Sequence, residues 1–312
     1  MSRSRRKDSP GAPSGDPPAE PGKSTGPDAA PGSPKVKDLL IEALSYISKF
    51  KGQVVVIKYG GAAMVQEASR VAFAQDIVLL QSLGMFPVIV HGGGPEVSKA
   101  LKALGQEAEF VEGLRVTSEE NLRVTEMVLS GTINQAIIAH LNSQGGNAVG
   151  MSGKDGHLIQ ARKMSHVNGI DLGYVGEIVR VDPKLVTLLL NNGFIPVISP
   201  IGMGEDGTTY NINADTAASR IAAALGAEKV IFMTDVDGVM GGDGMISTLT
   251  VEETQRLVAD GTIDGGMLPK IEAMLYSLAN DVRSAHIING SDPHAIIAEL
   301  FTDRGIGTVI TL

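Results

Sequence analysis

The sequence predicts an α/β fold with a largely parallel sheet, and two alternating patterns carry that prediction. Five short, almost continuously apolar runs are typical of strands covered on both faces: 54–57, 86–90, 194–198, 230–233 and 286–288. Stretches with helical character separate them: 67–83, 95–104, 119–142, 183–191, 214–225, 251–259 and 270–280. Because strands alternate with helices, we expect ligands to bind at the carboxyl ends of parallel strands.

The composition restricts the classes of function. The chain has 312 residues, of which 43% are hydrophobic and 20% charged, so it can bury a sizeable core. It contains no cysteine, which excludes disulfides, thiolate zinc sites and cysteine nucleophiles. The net charge of -9 argues against nucleic acid as a partner, and no apolar run reaches the roughly 18 residues that span a bilayer. Small-molecule chemistry is therefore favoured.

The amino-terminal segment over 1–34 contains more than half of the 15 prolines and almost no large apolar side chain, so we expect it to be disordered. It has no apolar signal region and carries acidic residues, which favours a cytoplasmic protein. Its segment 17–24 ends like a phosphate-binding loop, but Pro17 replaces the first glycine. Next, apolar residues at helical spacing from Leu40 to Phe50 predict an amphipathic helix over 36–50.

A glycine turn follows the first predicted strand. Lys58 ends this strand, and the N–H groups of Gly60 and Gly61 can approach an anion closely. The alternative is a surface lysine that happens to precede a turn.

A second glycine turn, 92–94, follows His91 and precedes a helix that Pro95 can open. Three glycines at a helix N-terminus form a backbone nest for an oxyanion or phosphate. A dinucleotide site is disfavoured because Val97 stands where its third glycine is required. His91 is a possible base, although a structural role is commoner at such a position.

Two further segments place polar side chains before helices. Arg115 lies in a short loop, where a guanidinium suits bidentate capture of a carboxylate, although a lone loop arginine is usually a solvated charge. Asn211, Asn213 and Asp215 gather at the start of an alanine-rich helix, and capping explains one of these three residues but not all.

Segment 234–238 leaves a predicted strand. Segment 264–267 leads toward Lys270 on a predicted helix. They are typical of the walls of a nucleotide pocket. Asp235 and Asp237 could instead bind magnesium or calcium, but the spacing of a calcium loop is absent.

Taken in order, six segments closely resemble the N-acetylglutamate kinases of the amino acid kinase family, and the resemblance extends over nearly all of 37–312. These segments are Lys58-x-Gly60-Gly61, His91-Gly92-Gly93-Gly94, Gly113-Leu114-Arg115-Val116-Thr117, Asn211-x-Asn213-Ala214-Asp215, Thr234-Asp235-Val236-x-Gly238 and Gly266-Met267-x-x-Lys270. Sister kinases for aspartate, glutamate, carbamate or UMP share the first and later segments. The third and fourth segments point to N-acetylglutamate.

The resemblance implies a three-layer αβα sandwich around a largely parallel open sheet. It also implies phosphorylation of the side-chain carboxylate of N-acetyl-L-glutamate by MgATP, in arginine biosynthesis. By resemblance, Lys58 and Lys270 stabilise the transferring phosphoryl group, Gly61 and Gly93 donate N–H groups to it, and Asp215 holds both lysines.

The resemblance further implies how the ligands are bound. The acceptor residues are Gly93, Gly94, Arg115 and Asn211, and the nucleotide residues are Thr234, Asp235, Gly238 and Met267. Mg²⁺ is expected to be held mainly by phosphates and water, with no protein ligand.

The resemblance also implies a division of the chain and a form of regulation. We expect a tail over 1–34, an oligomerisation helix over 35–51, an acceptor lobe over 52–205 and a nucleotide lobe over 206–312. The arginine-inhibited relatives are hexamers, built as trimers of dimers, with an additional amino-terminal helix. Their arginine site corresponds here to Tyr46, His286, Glu299 and Gly305. Alternatively, Glu299 is a solvated helix residue and Gly305 belongs to a turn; control by a PII signalling protein stays undecided.

Two other classes compete with this interpretation. A non-catalytic arginine sensor on the same fold is expected to lack Lys58, Asp215 or Lys270, and all three are present. A Rossmann-type oxidoreductase is disfavoured by the missing third glycine.

Overall fold

The computed structural model describes Leu44 and residues 50–242, 244–302 and 305–312, apart from the side chain of Ala62. The tail predicted over 1–34 lies outside the described residues, and so does most of the helix predicted over 36–50. Of that helix, Leu44 and Phe50 are described, and both have helical backbone.

Strands make up one large sheet and several small ones. In chain order they are β1 (Val54–Tyr59), β2 (Phe86–His91), β3 (Phe110–Val111), β4 (Leu114–Arg115), β5 (Ala148–Ser152), β6 (Ile159–Lys163), β7 (Gly176–Val181), β8 (Ile195–Ser199), β9 (Ile201–Met203), β10 (Thr209–Asn211), β11 (Lys229–Thr234), β12 (Val239–Gly241), β13 (Gly244–Ile246), β14 (Thr248–Thr250), β15 (Ser284–Asn289) and β16 (Thr308–Thr311). The large sheet has the order β14-β16-β15-β11-β1-β2-β8-β5. Its strands from β15 to β5 are parallel, whereas β16 runs antiparallel to β15 and β14 runs parallel to β16.

Helices connect most of these strands. They are α1 (Glu67–Ser82), α2 (Gly94–Ala103), α3 (Glu119–Glu126), α4 (Asn134–Ser143), α5 (Lys184–Asn191), α6 (Ala214–Leu225), α7 (Val251–Ala259), α8 (Leu268–Ala279) and α9 (Ala295–Leu300). A π-helical segment, Met127–Ile133, joins α3 to α4.

The central strands are covered on both faces, because alternate side chains enter two different core clusters. In β1, Val56 packs in the cluster that contains residues of α6 and α8, while Val55 and Ile57 pack in the cluster that contains residues of α1 and α4. This arrangement of helix, sheet and helix layers confirms the predicted α/β sandwich with its largely parallel sheet.

The topology places three turns at one edge of the sheet. The strand β1 lies between β2 and β11, with Lys58 aligned with Val90 on one side and Phe232 on the other. Because all three strands are parallel, the turns that follow them meet at their shared carboxyl edge, where α/β proteins bind ligands.

Two features differ from the sequence prediction. The strands β6, β7, β9 and β10 form a separate sheet of order β10-β9-β6-β7 that the apolar-run pattern did not indicate, because these strands are short and partly exposed. The helix predicted over 119–142 is interrupted by the π-helical segment, a local widening that periodicity does not reveal.

Candidate functional site

Two lysine ammonium groups converge on one buried carboxylate at the carboxyl edge of β1. The Nζ atom of Lys58 lies 3.1 Å from Oδ1 of Asp215, and the Nζ atom of Lys270 lies 3.4 Å from Oδ2. The side chain of Asp215 is 8% exposed, whereas those of Lys58 and Lys270 are 11% and 22% exposed. The acid is therefore covered, and each ammonium group keeps part of its surface open. We call these three residues the lysine–aspartate cluster.

The local sequence explains why these side chains meet. Lys58 has the same parity in β1 as Val56, so it points toward the face covered by α6 and α8. The side chain of Asn213 caps α6 by accepting the backbone N–H of Asp215 at 2.9 Å and that of Thr216 at 3.0 Å. Asp215 thus sits in the first turn of α6, where the helix dipole favours a negative charge.

The charge state of Asp215 follows from two opposing effects. Burial alone raises the pKa of this carboxyl, but the positive charges and hydrogen bonds of Lys58 and Lys270 outweigh burial, and the pKa lies below its ordinary value. The carboxylate is therefore ionised at neutral pH and holds both ammonium groups in place.

The glycine turns after β1 and β2 line a cavity of about 230 Å³ beside Lys58. A Cβ atom on Gly60 would lie 2.9 Å from Nζ of Lys58, so a side chain there would displace the ammonium group. Gly61 has a φ of +64°, a backbone conformation that favours glycine. A Cβ atom on Gly61 would lie 3.6 Å from the backbone N of Asp235. The turn after β1 therefore contacts the loop after β11.

The turn after β2 is packed against the π-helical segment. A Cβ atom on Gly93 would lie 2.1 Å from Cδ1 of Ile133 and 2.8 Å from Cδ2 of Leu129. Glycine at this position therefore lets the segment approach the backbone closely.

Arg115 lies in a second cavity, of about 180 Å³, on the other side of the turn after β2. One of its terminal nitrogens, Nη2, donates to the carbonyl oxygen of Gly94 and to Oγ of Ser98, each at 2.8 Å, while its guanidinium carbon lies 4.6 Å from the ring centre of Phe110. The other terminal nitrogen, Nη1, is buried and has no hydrogen-bond acceptor among the described residues. A buried cationic donor in that state suits a carboxylate ligand.

Asn211 lines the same cavity as Arg115, together with Gly93 and Gly94. Its Nδ2 lies 3.4 Å from Oγ1 of Thr117, and that hydroxyl donates to the carbonyl oxygen of Arg115 at 2.8 Å. The predicted acceptor residues are therefore brought together.

The structure gives His91 a structural position. It is fully buried, and burial lowers the pKa of its imidazole to about 4. The neutral ring donates from Nδ1 to the carbonyl oxygen of Gly92 at 2.9 Å, and Nε2 accepts from Nδ2 of Asn134 at 3.1 Å. Both ring nitrogens are thus used to hold the turn, which favours the structural alternative over a catalytic base.

The last residue of β11 and the loop that follows it contain three of the four predicted nucleotide residues. Thr234 donates from Oγ1 to Oδ1 of Asp235 at 3.0 Å, and Asp237 accepts a hydrogen bond from Asn289 at 2.8 Å. Gly238 directly precedes β12. The fourth residue, Met267, comes from a different segment, a single 3₁₀ turn three residues before Lys270, and it packs partly against the core.

Near the carboxyl terminus a second buried acid is fully hydrogen-bonded. Oε1 of Glu299 accepts from Nδ1 of His286 at 2.6 Å, and Oε2 accepts the N–H groups of Ile306 at 2.8 Å and Gly307 at 3.1 Å. A Cβ atom on Gly305 would lie 2.6 Å from Oε2. We call Glu299, His286 and these backbone groups the carboxyl-terminal cluster.

Of the residues predicted to bind arginine, Glu299, His286 and Gly305 are therefore brought together. The alternative that Glu299 is a solvated helix residue is wrong, because its side chain is buried. Tyr46 lies outside the described residues.

Sequence reasoning missed Ser98, Phe110 and Asn134. Ser98 lies one helical turn after Gly94, and this spacing could have placed its hydroxyl on the face of α2 that meets Arg115. Pairing of β3 with β4 brings Phe110 to Arg115, and the sheet brings Asn134 to His91. The sequence carries no local signal for either contact.

An open α/β sheet with two lysines, a buried aspartate and two glycine turns at one edge is typical of proteins that bind an anionic ligand. The model of the amino acid kinase family matches residues 53–289. The chain therefore belongs to the amino acid kinase family.

Curated relatives narrow the likeness within this family. An acetylglutamate kinase of Methanocaldococcus jannaschii is 51% identical over 286 residues, covering 88% of this chain and 95% of that protein. An acetylglutamate kinase of Halorhodospira halophila is 50% identical over 282 residues, covering 87% of this chain and 94% of that protein.

A solved structure is also similar. The N-acetylglutamate synthase of Neisseria gonorrhoeae, complexed with coenzyme A and N-acetyl-glutamate, has a TM-score of 0.81 and 28% identity, covering 89% of this chain. The present chain spans 64% of the synthase chain. The same synthase with coenzyme A and L-arginine has a TM-score of 0.78 and 26% identity, covering 89% of this chain and 66% of that chain.

Proposed function

We propose that this protein catalyses the acetylglutamate kinase reaction, the ATP-dependent phosphorylation of the side-chain carboxylate of N-acetyl-L-glutamate in arginine biosynthesis. The lysine–aspartate cluster supports this conclusion: Lys58 and Lys270 flank Asp215 beside two glycine turns, in a chain about half identical to curated kinases of that name. The products are ADP and the acyl phosphate, N-acetyl-L-glutamyl 5-phosphate.

The chemistry requires charge neutralisation more than proton transfer. A side-chain carboxyl with an ordinary pKa near 4.3 is ionised at neutral pH, so the acceptor needs no base. One of its oxygens forms the new bond to the γ-phosphorus of ATP while the bond to the ADP oxygen breaks, and negative charge spreads over the transferring group. Lys58 and Lys270 would neutralise that charge, and Gly61 and Gly93 would donate N–H groups, while Asp215 fixes the lysines.

The acceptor would lie in the cavity lined by Arg115. The buried, unpaired Nη1 of Arg115 supports its proposed role in binding the α-carboxylate of the acceptor. Asn211, with the backbone of Gly93 and Gly94, would hold the acetamido group. The side-chain carboxylate would then point toward the neighbouring cavity that contains Lys58.

ATP would lie over the loop after β11. Its contacts would come from Thr234, Asp235 and Gly238, with Met267 closing the pocket. Asp215 is already paired with two lysines, so it is poorly suited to bind Mg²⁺. We infer that the ion which accompanies ATP is held by phosphates and water, as hard cations often keep several waters.

We further propose feedback inhibition by L-arginine in a hexameric, cytoplasmic enzyme. The assembled carboxyl-terminal cluster supports an effector site at His286, Glu299 and Gly305, completed by Tyr46 of the amino-terminal helix. Within the described residues, no helix is long and apolar enough to cross a membrane. The likeness to a synthase that was crystallised with L-arginine agrees with this proposal. The lobes over 52–205 and 206–312, the oligomerisation helix over 35–51 and regulation by a PII protein stay predictions.

The test is coupled ADP release from MgATP, with N-acetyl-L-glutamate, free glutamate or aspartate as acceptor, with and without L-arginine. Among the three acceptors, we expect only N-acetyl-L-glutamate to support ADP release, and we expect L-arginine to suppress that release. Release with free glutamate or aspartate instead would favour a sister kinase. No turnover by folded protein that still binds arginine would favour the non-catalytic sensor.

A further inference from the structure

Thr308 has a fully buried hydroxyl that connects the carboxyl-terminal strand to both strands of the hairpin β12–β13. Its Oγ1 donates to the carbonyl oxygen of Ile246 at 2.5 Å and accepts the backbone N–H of Val239 at 2.8 Å. Val239 and Ile246 are paired with each other at the base of this hairpin. One side chain therefore fixes both strands at the point where the hairpin begins.

The same hydroxyl lies against the loop after β11. A Cβ atom on Gly238 would lie 2.4 Å from Oγ1 of Thr308, so only a glycine allows the loop to pass this close. The other end of the loop is tied to β15, because Gly290 donates its N–H to the carbonyl oxygen of Thr234 at 2.8 Å. Thr308 and Gly290 thus restrain the two ends of the loop over 234–238.

A hydroxyl is the side-chain group that fits this position. It must donate to one backbone group and accept from another, which a hydroxyl can do with a single atom. Valine has nearly the same shape but would leave a buried N–H group and a buried carbonyl oxygen without this partner. Serine keeps the hydroxyl and loses only the methyl group.

We propose that Thr308 is a positioning residue for the nucleotide: it fixes the loop over 234–238 and the hairpin in the conformation that binds ATP. The proposal rests on the proposed kinase function for the identity of the ligand. Thr308 acts through Gly238 and Val239, because its side chain is fully buried and its hydroxyl is bonded to backbone groups. Its loss is expected to affect nucleotide binding more than acceptor binding or the chemical step.

The experiment compares Thr308→Val, Thr308→Ser and the parent chain in steady-state kinetics, with each substrate varied in turn. We expect Thr308→Val to raise the KM for ATP about five- to tenfold, the size expected from the loss of one or two buried hydrogen bonds. The KM for N-acetyl-L-glutamate and kcat should stay within about twofold, and Thr308→Ser should restore most of the ATP affinity.

Thr254→Val is the matched control. Thr254 is also fully buried and donates its hydroxyl to a backbone carbonyl, that of Thr250 at 2.8 Å, but it lies in α7. An equal rise in the KM for ATP in this control would overturn the proposal, since the effect would then reflect general destabilisation. Equal effects of Thr308→Val on both KM values would also overturn it.

Two measurements separate this proposal from the kinase assignment. Binding of a non-hydrolysable ATP analogue, followed by calorimetry, reports the loop even if no acceptor is turned over. Hydrogen exchange of the Val239 amide in the parent chain tests the contact if Thr308→Val does not fold. Slow exchange supports the restraint, and exchange as fast as in an open turn would overturn it.

Discussion

Among the described residues, two buried carboxylates, Asp215 and Glu299, have lowered pKa values, and their partners differ. Asp215 in the lysine–aspartate cluster faces two lysine ammonium groups at 3.1 and 3.4 Å. Glu299 in the carboxyl-terminal cluster faces a histidine ring and two backbone N–H groups within 3.1 Å. In each case burial alone raises the pKa of the carboxyl, and the neighbouring groups outweigh it.

The difference lies in what the partners can still do. The ammonium groups of Lys58 and Lys270 have further donors and some exposed surface, so they can bind a second anion. His286 uses both ring nitrogens inside the protein, and the side chain of Glu299 is only 3% exposed. A buried acid thus holds a partly exposed pair of cations in one place. In the other it is bonded wholly within the chain, so an arginine bound there would have to displace one of its present partners.

The largest effect is expected from Lys58→Ala, in the lysine–aspartate cluster. We expect kcat to fall about 100- to 1000-fold, as when one preorganised charge stabiliser is lost, with a small change in the KM for the acceptor. Steady-state kinetics measure this, and Lys184→Ala serves as the control because that side chain is 86% exposed. An unchanged kcat in folded Lys58→Ala would contradict the assigned role.

A substitution in the carboxyl-terminal cluster should lower the stability of the fold more than the catalytic activity. Glu299→Ala leaves Nδ1 of His286 and the N–H groups of Ile306 and Gly307 without their acceptor, so we expect the free energy of unfolding to fall by about 3 kcal/mol, the size expected for one or two unsatisfied donors. Urea denaturation measures the loss. If stability is unchanged while kcat falls as far as in Lys58→Ala, the contrast between the two clusters is wrong.

The buried His91 at the end of β2 predicts a pH dependence of stability. The folded-state pKa of His91 is lowered from 6.5 to about 4, so the unfolded chain binds more protons between these values. Stability should therefore fall as the pH drops from about 6.5 to 4, by up to about 3 kcal/mol from this group. Denaturation midpoints across this range should be less pH-dependent in His91→Gln, whereas His166→Gln, at an exposed position, should keep the slope of the parent chain.

The smallest effect expected in this series concerns the acceptor cavity. Arg115→Lys keeps the charge but cannot maintain the contacts of the planar guanidinium with Gly94, Ser98 and a carboxylate at the same time. We expect the KM for N-acetyl-L-glutamate to rise about tenfold and the KM for ATP to change little. A rise confined to ATP would exchange the proposed roles of the two cavities.

Much of the lysine–aspartate cluster could be predicted from the sequence because each of its parts has a short local sequence pattern. A lysine at a strand end, paired glycines and an aspartate in a capped first turn each follow from short-range rules, and the resemblance joined them. The closed state of Glu299 could not be predicted in this way. Its burial depends on the pairing of β15 with β16 and on the return of the segment 305–307, which are long-range events.

The fold, too, could be predicted from the sequence only in part. The continuous apolar runs of the central strands marked the large sheet, since burial on both faces leaves a strong pattern. The sheet formed by β6, β7, β9 and β10 left no such pattern, and Met127–Ile133 reads as ordinary helix in sequence. Both features depend on packing between distant segments.

The central position of β1 has a consequence for how this chain can be divided. The strand forms backbone hydrogen bonds with β2 on one side and with β11 on the other, so the boundary proposed between 205 and 206 runs through one continuous ladder. A fragment that ends at 205 would present the long apolar edge of β1 to solvent, and such an edge invites aggregation. A chain split at this boundary should therefore require co-expression of both pieces to yield folded material.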